Sequence, residues 1–177
     1  MYFQTPSGRK QVLGVDRKVA FLGLFSGAAI LLGYVESLIP VFVTVPGMKL
    51  GLANLAIVMV LYLYGLREAL TVQIVRILVT GFLFGNLFSI LFSLAGGLLS
   101  LLVMWGMKVR GRFGMIGVSV AGGVSHNIGQ IFVAALVVEN ASVAYYLPVL
   151  LAAGVVTGVL IGLLSKEMLG KIDRKKY

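Results

Sequence analysis

Six apolar runs, separated by short polar, basic or glycine-containing connections, account for most of the chain. They are Val19–Ile39, Leu50–Tyr64, Ala69–Gly85, Leu87–Met107, Met115–Val138 and Tyr145–Leu164. None alternates apolar and polar residues with period two, and lipid offers a backbone no hydrogen bonds, so helices rather than barrel strands are expected. About 20 apolar residues are needed to cross a typical hydrocarbon core as a helix. The second and third runs fall short of that, which predicts that they tilt or are enclosed by other helices.

The basic residues lie between these runs in a definite order. Arg9, Lys10, Arg17 and Lys18 precede the first run, and Arg67 separates the second from the third. Lys108, Arg110 and Arg112 separate the fourth from the fifth; Lys166, Lys171, Arg174, Lys175 and Lys176 follow the sixth. Alternate connections therefore carry almost all the cationic charge, and the opposite connections hold only Lys49. The positive-inside rule places both termini in the cytoplasm. The expected fold is an all-α integral membrane protein, a six-transmembrane-helix bundle in a multi-pass arrangement. Residues 1–18 read as a cytoplasmic leader, 19–165 as the transmembrane domain and 166–177 as a basic cytoplasmic tail.

Composition agrees with this reading. Hydrophobic residues make up 59% of the 177 and charged residues 12%, too few charges to cover a soluble domain, so the apolar excess faces a lipid bilayer. The net charge of +9 is explained by topology, and no nucleic-acid partner is expected. Cysteine is absent, which excludes disulfides and Cys-based metal sites. A basic cluster rather than a small-residue cleavage site precedes the first run, so no cleaved signal is expected.

Ionisable and amide residues within the runs are the candidate functional groups, because each is costly in hydrocarbon. Arg76 falls near the middle of the third run, too deep to reach a surface. Glu36 stands near the outer end of the first run, with Lys49 and Asn54 opening the second. His126, Asn127 and Gln130 cluster in the fifth, His126 and Gln130 sharing a face. Asn86, Tyr145 and Tyr146 stand near outer ends. Nearly all fall in the middle or outer half of the membrane, which suggests a pocket open to the outside. Such a set can hold a small molecule with an anionic or zwitterionic group, its apolar part against Phe42, Phe82, Phe84 and the tyrosines. The alternative is structural: an Arg76–Glu36 ion pair, and interhelical hydrogen bonds from His126 and Asn127.

The connection Pro40–Lys49 is apolar and punctuated by Pro40, Pro46 and Gly47, and reads either as an interfacial linker or as a lid over the pocket. Small residues recur every fourth position at Gly81, Gly85, Ser89, Ser93 and Gly97, at Gly117, Ala121, Ser125 and Gly129, and at Gly154, Gly158 and Gly162. Each ladder permits close helix contact. The first is interrupted by a turn at Gly85-Asn86. Gly23 and Gly27 form a shorter pair, the preferred candidate for docking a separate membrane subunit.

Catalytic signatures are missing. There is no P-loop, and the aspartates are Asp16 and Asp173, both in tails, so the carboxylate cluster that would hold magnesium against a prenyl diphosphate is not present. One histidine without cysteine is a poor metal site. No catalytic residues, metal or cofactor are expected.

Several stretches resemble a bacterial family of small membrane proteins: Glu36-Ser-Leu-Ile-Pro40, Pro46-Gly-Met-Lys-Leu-Gly-Leu-Ala-Asn54, Leu61-Tyr-Leu-Tyr-Gly-Leu-Arg-Glu-Ala-Leu70, Ser93-Leu-Ala-Gly-Gly97, Ser125-His-Asn-Ile-Gly-Gln130 and Tyr145-Tyr-Leu-Pro148. This is the Gx transporter family, known by an older description as heptaprenyl diphosphate synthase component I. Its layout is similar to the substrate-binding S components of energy-coupling-factor (ECF) transporters. That resemblance implies a first outer loop that caps a ligand, and a first-helix motif, here Gly23-Leu-Phe-Ser-Gly27, that meets a transmembrane coupling subunit. It also implies ATPase partners and a bacterial cytoplasmic membrane location. The older description implies instead a non-catalytic membrane subunit linked to isoprenoid or quinone synthesis.

Overall fold

The computed structural model describes residues 6–38, 51–139 and 141–174. Among these the chain is all helical, with no strand: α1 (Pro6–Leu38), α2 (Leu52–Leu63), α3 (Leu66–Phe84), α4 (Leu87–Arg110), α5 (Met115–Val138) and α6 (Leu147–Arg174), the last preceded by a 3-10 turn at Ala141–Tyr146. Lys49 and the Pro40–Lys49 connection lie outside the described residues.

Local chemistry sets the helix ends. Gly51 enters α2 at φ 74°, and Gly65 joins α2 to α3 at φ 108°, ψ −170°, a region open essentially to glycine. Asn86 caps α4 by accepting the Ser89 N–H at 2.8 Å. Two helices outrun the apolar runs. α1 begins at Pro6, within the expected leader, and α6 continues to Arg174, because Lys, Arg and Glu interrupt hydropathy without opposing a helix.

Neighbouring helices close a ring in the order α1, α2, α6, α5, α4, α3, with α2 also against α3. Tight contacts fix the α5–α6 side of the ring. A Cβ on Gly158 would stand 2.6 Å from Val120 Cα, and one on Gly162 2.7 Å from Ile116 Cα. The ladder Gly154, Gly158, Gly162 thus serves intramolecular contact. Gly23 and Gly27 differ: among the described residues a Cβ there meets nothing within 4 Å, so they leave this face of α1 open.

Enclosure is greatest at α2, where Ala53, Ala56, Ile57, Val58, Met59, Val60 and Leu61 are buried. At one end Glu36 Oε1 accepts the Gly51 N–H at 2.5 Å. At the other, Lys108 Nζ donates to the Leu61 carbonyl at 2.7 Å and stands 5.0 Å from the Tyr62 ring centre. Lys18 also ties α1 to α3 through Glu68, at 2.5 Å.

Among the described residues, four helices are long and apolar enough to cross a membrane: Arg17–Glu36, Leu87–Arg110, Met115–Val138 and Leu147–Ile172. The expected six crossings are thus matched by length and composition in four. α2 has 12 residues, roughly 18 Å at 1.5 Å each, and α3 carries Arg67, Glu68 and Arg76. These are the two runs expected to be short or enclosed. Around them the outer surfaces are apolar: Leu24, Leu31, Phe82, Leu87, Phe132 and Leu160 are all exposed. The protein is a multi-pass membrane protein.

Glu68 precedes the apolar part of α3, and its hydrogen bond from Lys18 holds the carboxyl below the usual range. The tie therefore contributes above the ordinary carboxylate pKa of about 4.3 and is lost as pH falls through the lowered value. Being part-exposed, it is worth under about 1 kcal/mol. Thermal unfolding from pH 7 down to pH 3 should show a small acid-side loss that Glu68→Gln removes.

Candidate functional site

A cavity of about 60 Å³ opens inside the ring, and every helix contributes to its wall. Glu36 comes from α1, Ala53 and Asn54 from α2, Arg76 from α3, Ser93 from α4, Gly123, His126 and Asn127 from α5, and Thr157, Gly158 and Ile161 from α6. Glu36 and Asn54 stand within roughly 3 Å of their helix ends at 1.5 Å per residue. Arg76 lies roughly 12 Å, and Asn127 roughly 16 Å, from the corresponding ends of theirs. The cavity thus reaches from the end of the bundle remote from the chain termini to about mid-depth, where Gly123 and Asn127 of α5 line it.

Arg76 is the cation of the wall among the described residues. Its Nη2 donates to Gln73 Oε1 at 3.1 Å, one turn back on α3. Its Nε is buried and has no hydrogen-bond partner among the described residues. The Glu36 carboxylate is close enough to act on the guanidinium electrostatically. One oxygen of that carboxylate also accepts the Gly51 N–H, so Glu36 both lines the cavity and starts α2.

Paired glycines on α4 make room for the surrounding polar side chains. A Cβ on Gly97 would overlap the Gln73 carboxamide, and one on Gly96 would meet Gln130 Cγ and the His126 carbonyl at 2.8 Å. Gln73 and Gln130 are buried, at 1% exposure each, and neither amide atom of Gln130 has a hydrogen-bond partner among the described residues. Asn127 Nδ2 donates to the Leu150 carbonyl at 2.5 Å, so this residue joins α5 to the start of α6 while facing the cavity. The structural reading thus applies to a residue that also lines the cavity. Thr157 Oγ1 lies 3.4 Å from the Gly154 carbonyl.

Of the residues expected from sequence, Glu36, Asn54, Arg76, His126 and Asn127 meet in this cavity. Gln130 is buried beside His126 but is not part of the wall, and Lys49 is outside the described residues. Asn86 is exposed and engaged as the α4 cap, away from the cavity. Asn86→Ala should therefore cost about 1 kcal/mol in thermal stability while leaving ligand affinity unchanged. The aromatic lining needs correcting. Phe82 (76% exposed), Phe84 and the two tyrosines face outward, since the helix rotation that turns Arg76 inward carries Phe82 out, and Phe84 stacks on Tyr34 at 4.8 Å. Phe42 is outside the described residues. Ser93 and Thr157 were not identified as site residues. Gln73 was also missed, although a second polar residue three positions before a buried arginine is a readable signal. Among the described residues no three His, Asp or Glu side chains come together.

The family described as heptaprenyl diphosphate synthase component I matches residues 25–168. Neither a curated protein nor a solved structure matches the chain.

Proposed function

Because the chain belongs to the heptaprenyl diphosphate synthase component I family, a family of membrane proteins, we propose that it acts as a membrane-embedded capture subunit for a small molecule with an anionic or zwitterionic head. The observation that carries this reading is Arg76: a guanidinium with a buried N–H that has no partner among the described residues, on the wall of a polar cavity inside a bilayer protein. A buried donor left unpaired costs about 1–3 kcal/mol, which an acceptor on a ligand recovers. The basic connections support cytoplasmic termini, and with that orientation the cavity reaches from the outer side to about mid-membrane and fills from outside. The ligand sits among Glu36, Asn54, Arg76, His126 and Asn127, with Lys49 and Gln130 as further contributors. Release to the cytoplasm is driven by separate ATPases through a coupling subunit of the ECF type. The open Gly23/Gly27 face of α1 supports such docking, because none of the described residues covers it. The expected location is the bacterial cytoplasmic membrane.

The family description favours a second reading, a non-catalytic membrane subunit serving prenyl-chain synthesis. Membranes lacking only this protein separate the two. Retained prenyl elongation with lost uptake supports capture, and lost elongation with normal uptake rejects it. A compound released from the purified protein and identified by mass gives the direct check.

A further inference from the structure

We infer that the ligand carries a cyclic amide, a ring N–H and C=O side by side, and that the Gln130 carboxamide recognises it. This rests on the capture reading above and narrows it. Among the described residues, Gln73, Asn127 and Gln130 are carboxamides buried at or beside the cavity. Two of them have protein partners: Gln73 Oε1 accepts from Arg76 Nη2, and Asn127 Nδ2 donates to the Leu150 carbonyl. Gln130 differs. Its Oε1 and Nε2 are both buried with no hydrogen-bond partner among the described residues, in a side chain 1% exposed. Packing alone does not call for such a residue, since leucine or methionine fills the same space without stranding a donor and an acceptor. A ligand that offers the opposite pair satisfies both at once.

Placement in the fold supports the assignment. Gln130 stands one turn outward from His126 and Asn127, both of which line the cavity. Side chains on a helix lean back over the preceding turn, so the Gln130 carboxamide lies at the level of these two residues. Its stem runs against α4, where a Cβ on Gly96 would meet Gln130 Cγ at 2.8 Å. Rotation about the torsions beyond Cγ brings the carboxamide to the cavity with the backbone in place. Arg76 and Gln130 each stand eight residues before the outer end of their helix, roughly 12 Å at 1.5 Å per residue. An acid held at the buried Arg76 Nε therefore carries its ring at the depth of Gln130. A carboxamide presents its oxygen and one N–H on a single edge. The matching edge is a cis amide, which a small ring enforces and an open-chain secondary amide, being trans, does not present.

The test uses the full chain purified in detergent and measures calorimetric affinity and unfolding temperature. The probes are two lactam acids, 5-oxoproline and 6-oxopiperidine-2-carboxylate. Each is compared with the lactone acid of the same ring, in which oxygen replaces the N–H, and with open-chain N-acetylglycine. At least one lactam acid should bind about ten times more tightly than its lactone, the worth of about one hydrogen bond. Gln130→Met keeps the shape of the side chain and should erase that preference. Without ligand this variant should unfold at the same or a higher temperature, because it strands no polar atom; a clear drop would show that Gln130 serves the fold and overturn the inference. Equal binding of the lactone or of N-acetylglycine also overturns it, as does a preference that Gln130→Met leaves intact. If neither probe binds, the compound released from the purified protein and identified by mass decides. A cyclic amide whose co-purified amount falls about tenfold in Gln130→Met supports the inference. A released compound without that edge, or one whose amount does not fall, sinks the inference and leaves the capture reading standing. If nothing binds and nothing is released, both fail.

Discussion

Gly158→Leu should cause the largest loss of folded protein of any single substitution in α6. The Cβ of any residue there would stand 2.6 Å from Val120 Cα and 3.0 Å from the Ser119 carbonyl, both backbone atoms that no rotamer change can move. Overpacking of an ordinary core costs about 1–3 kcal/mol because side chains can give way. Here α6 must leave α5 altogether, taking one wall of the cavity with it. Without lipid-independent hydrophobic attraction between helices, close van der Waals contact is what holds such a seam. The expected readout is loss of the monodisperse species in size exclusion, with Gly158→Ala giving a smaller but clear drop in unfolding temperature. Gly106→Ala is the control. A Cβ there meets nothing within 4 Å, so the change should be neutral or stabilising by up to about 1 kcal/mol. Equal behaviour of the two variants would contradict the seam.

Arg76→Ala should lower affinity for the ligand by roughly 10- to 100-fold, the range set by about 1.5–3 kcal/mol for a hydrogen bond to a charged group. Arg76→Lys should restore little. An ammonium keeps the charge but lacks the planar fork, one arm of which is held by Gln73 while another presents a buried N–H to the cavity. Gln73→Leu should give a smaller loss in the same direction, because it frees the guanidinium without removing it. The amount of compound that co-purifies with each variant, quantified by mass, checks the series. Full retention with Arg76→Ala would remove this residue from the site.

Hydropathy made the helices legible because each apolar run had to be one, and α5 coincides with its run from Met115 to Val138. The same signal lost track of α1 before Val19 and of α6 after Leu164. There, charged residues mark where lipid ends, which is a different property from where a helix ends. The short second and third runs were also legible as exceptions, and α2 is short and enclosed while α3 carries three charges. Glu36, Arg76 and His126, which line the cavity, were legible as candidates because an ionisable group in hydrocarbon is exceptional. Thr157 was not, since a hydroxyl one turn from its own helix carbonyls is ordinary in a span. Asn86 shows the opposite error: an amide at the end of a run resembles a ligand contact, and the Ser89 N–H it accepts explains it without one. The outward turn of Phe82 and Phe84 depends on helix rotation, which the neighbours of α3 set.

The short helix α2 hangs between charges of opposite sign supplied by other helices. The Glu36 carboxylate meets the amide end, where the peptide dipoles are positive, and the Lys108 ammonium meets the carbonyl end, where they are negative. Sliding α2 along its axis in either direction pulls it off one of these anchors. Any widening or narrowing of the space beside Asn54 must therefore come from its neighbours moving sideways around a fixed strut.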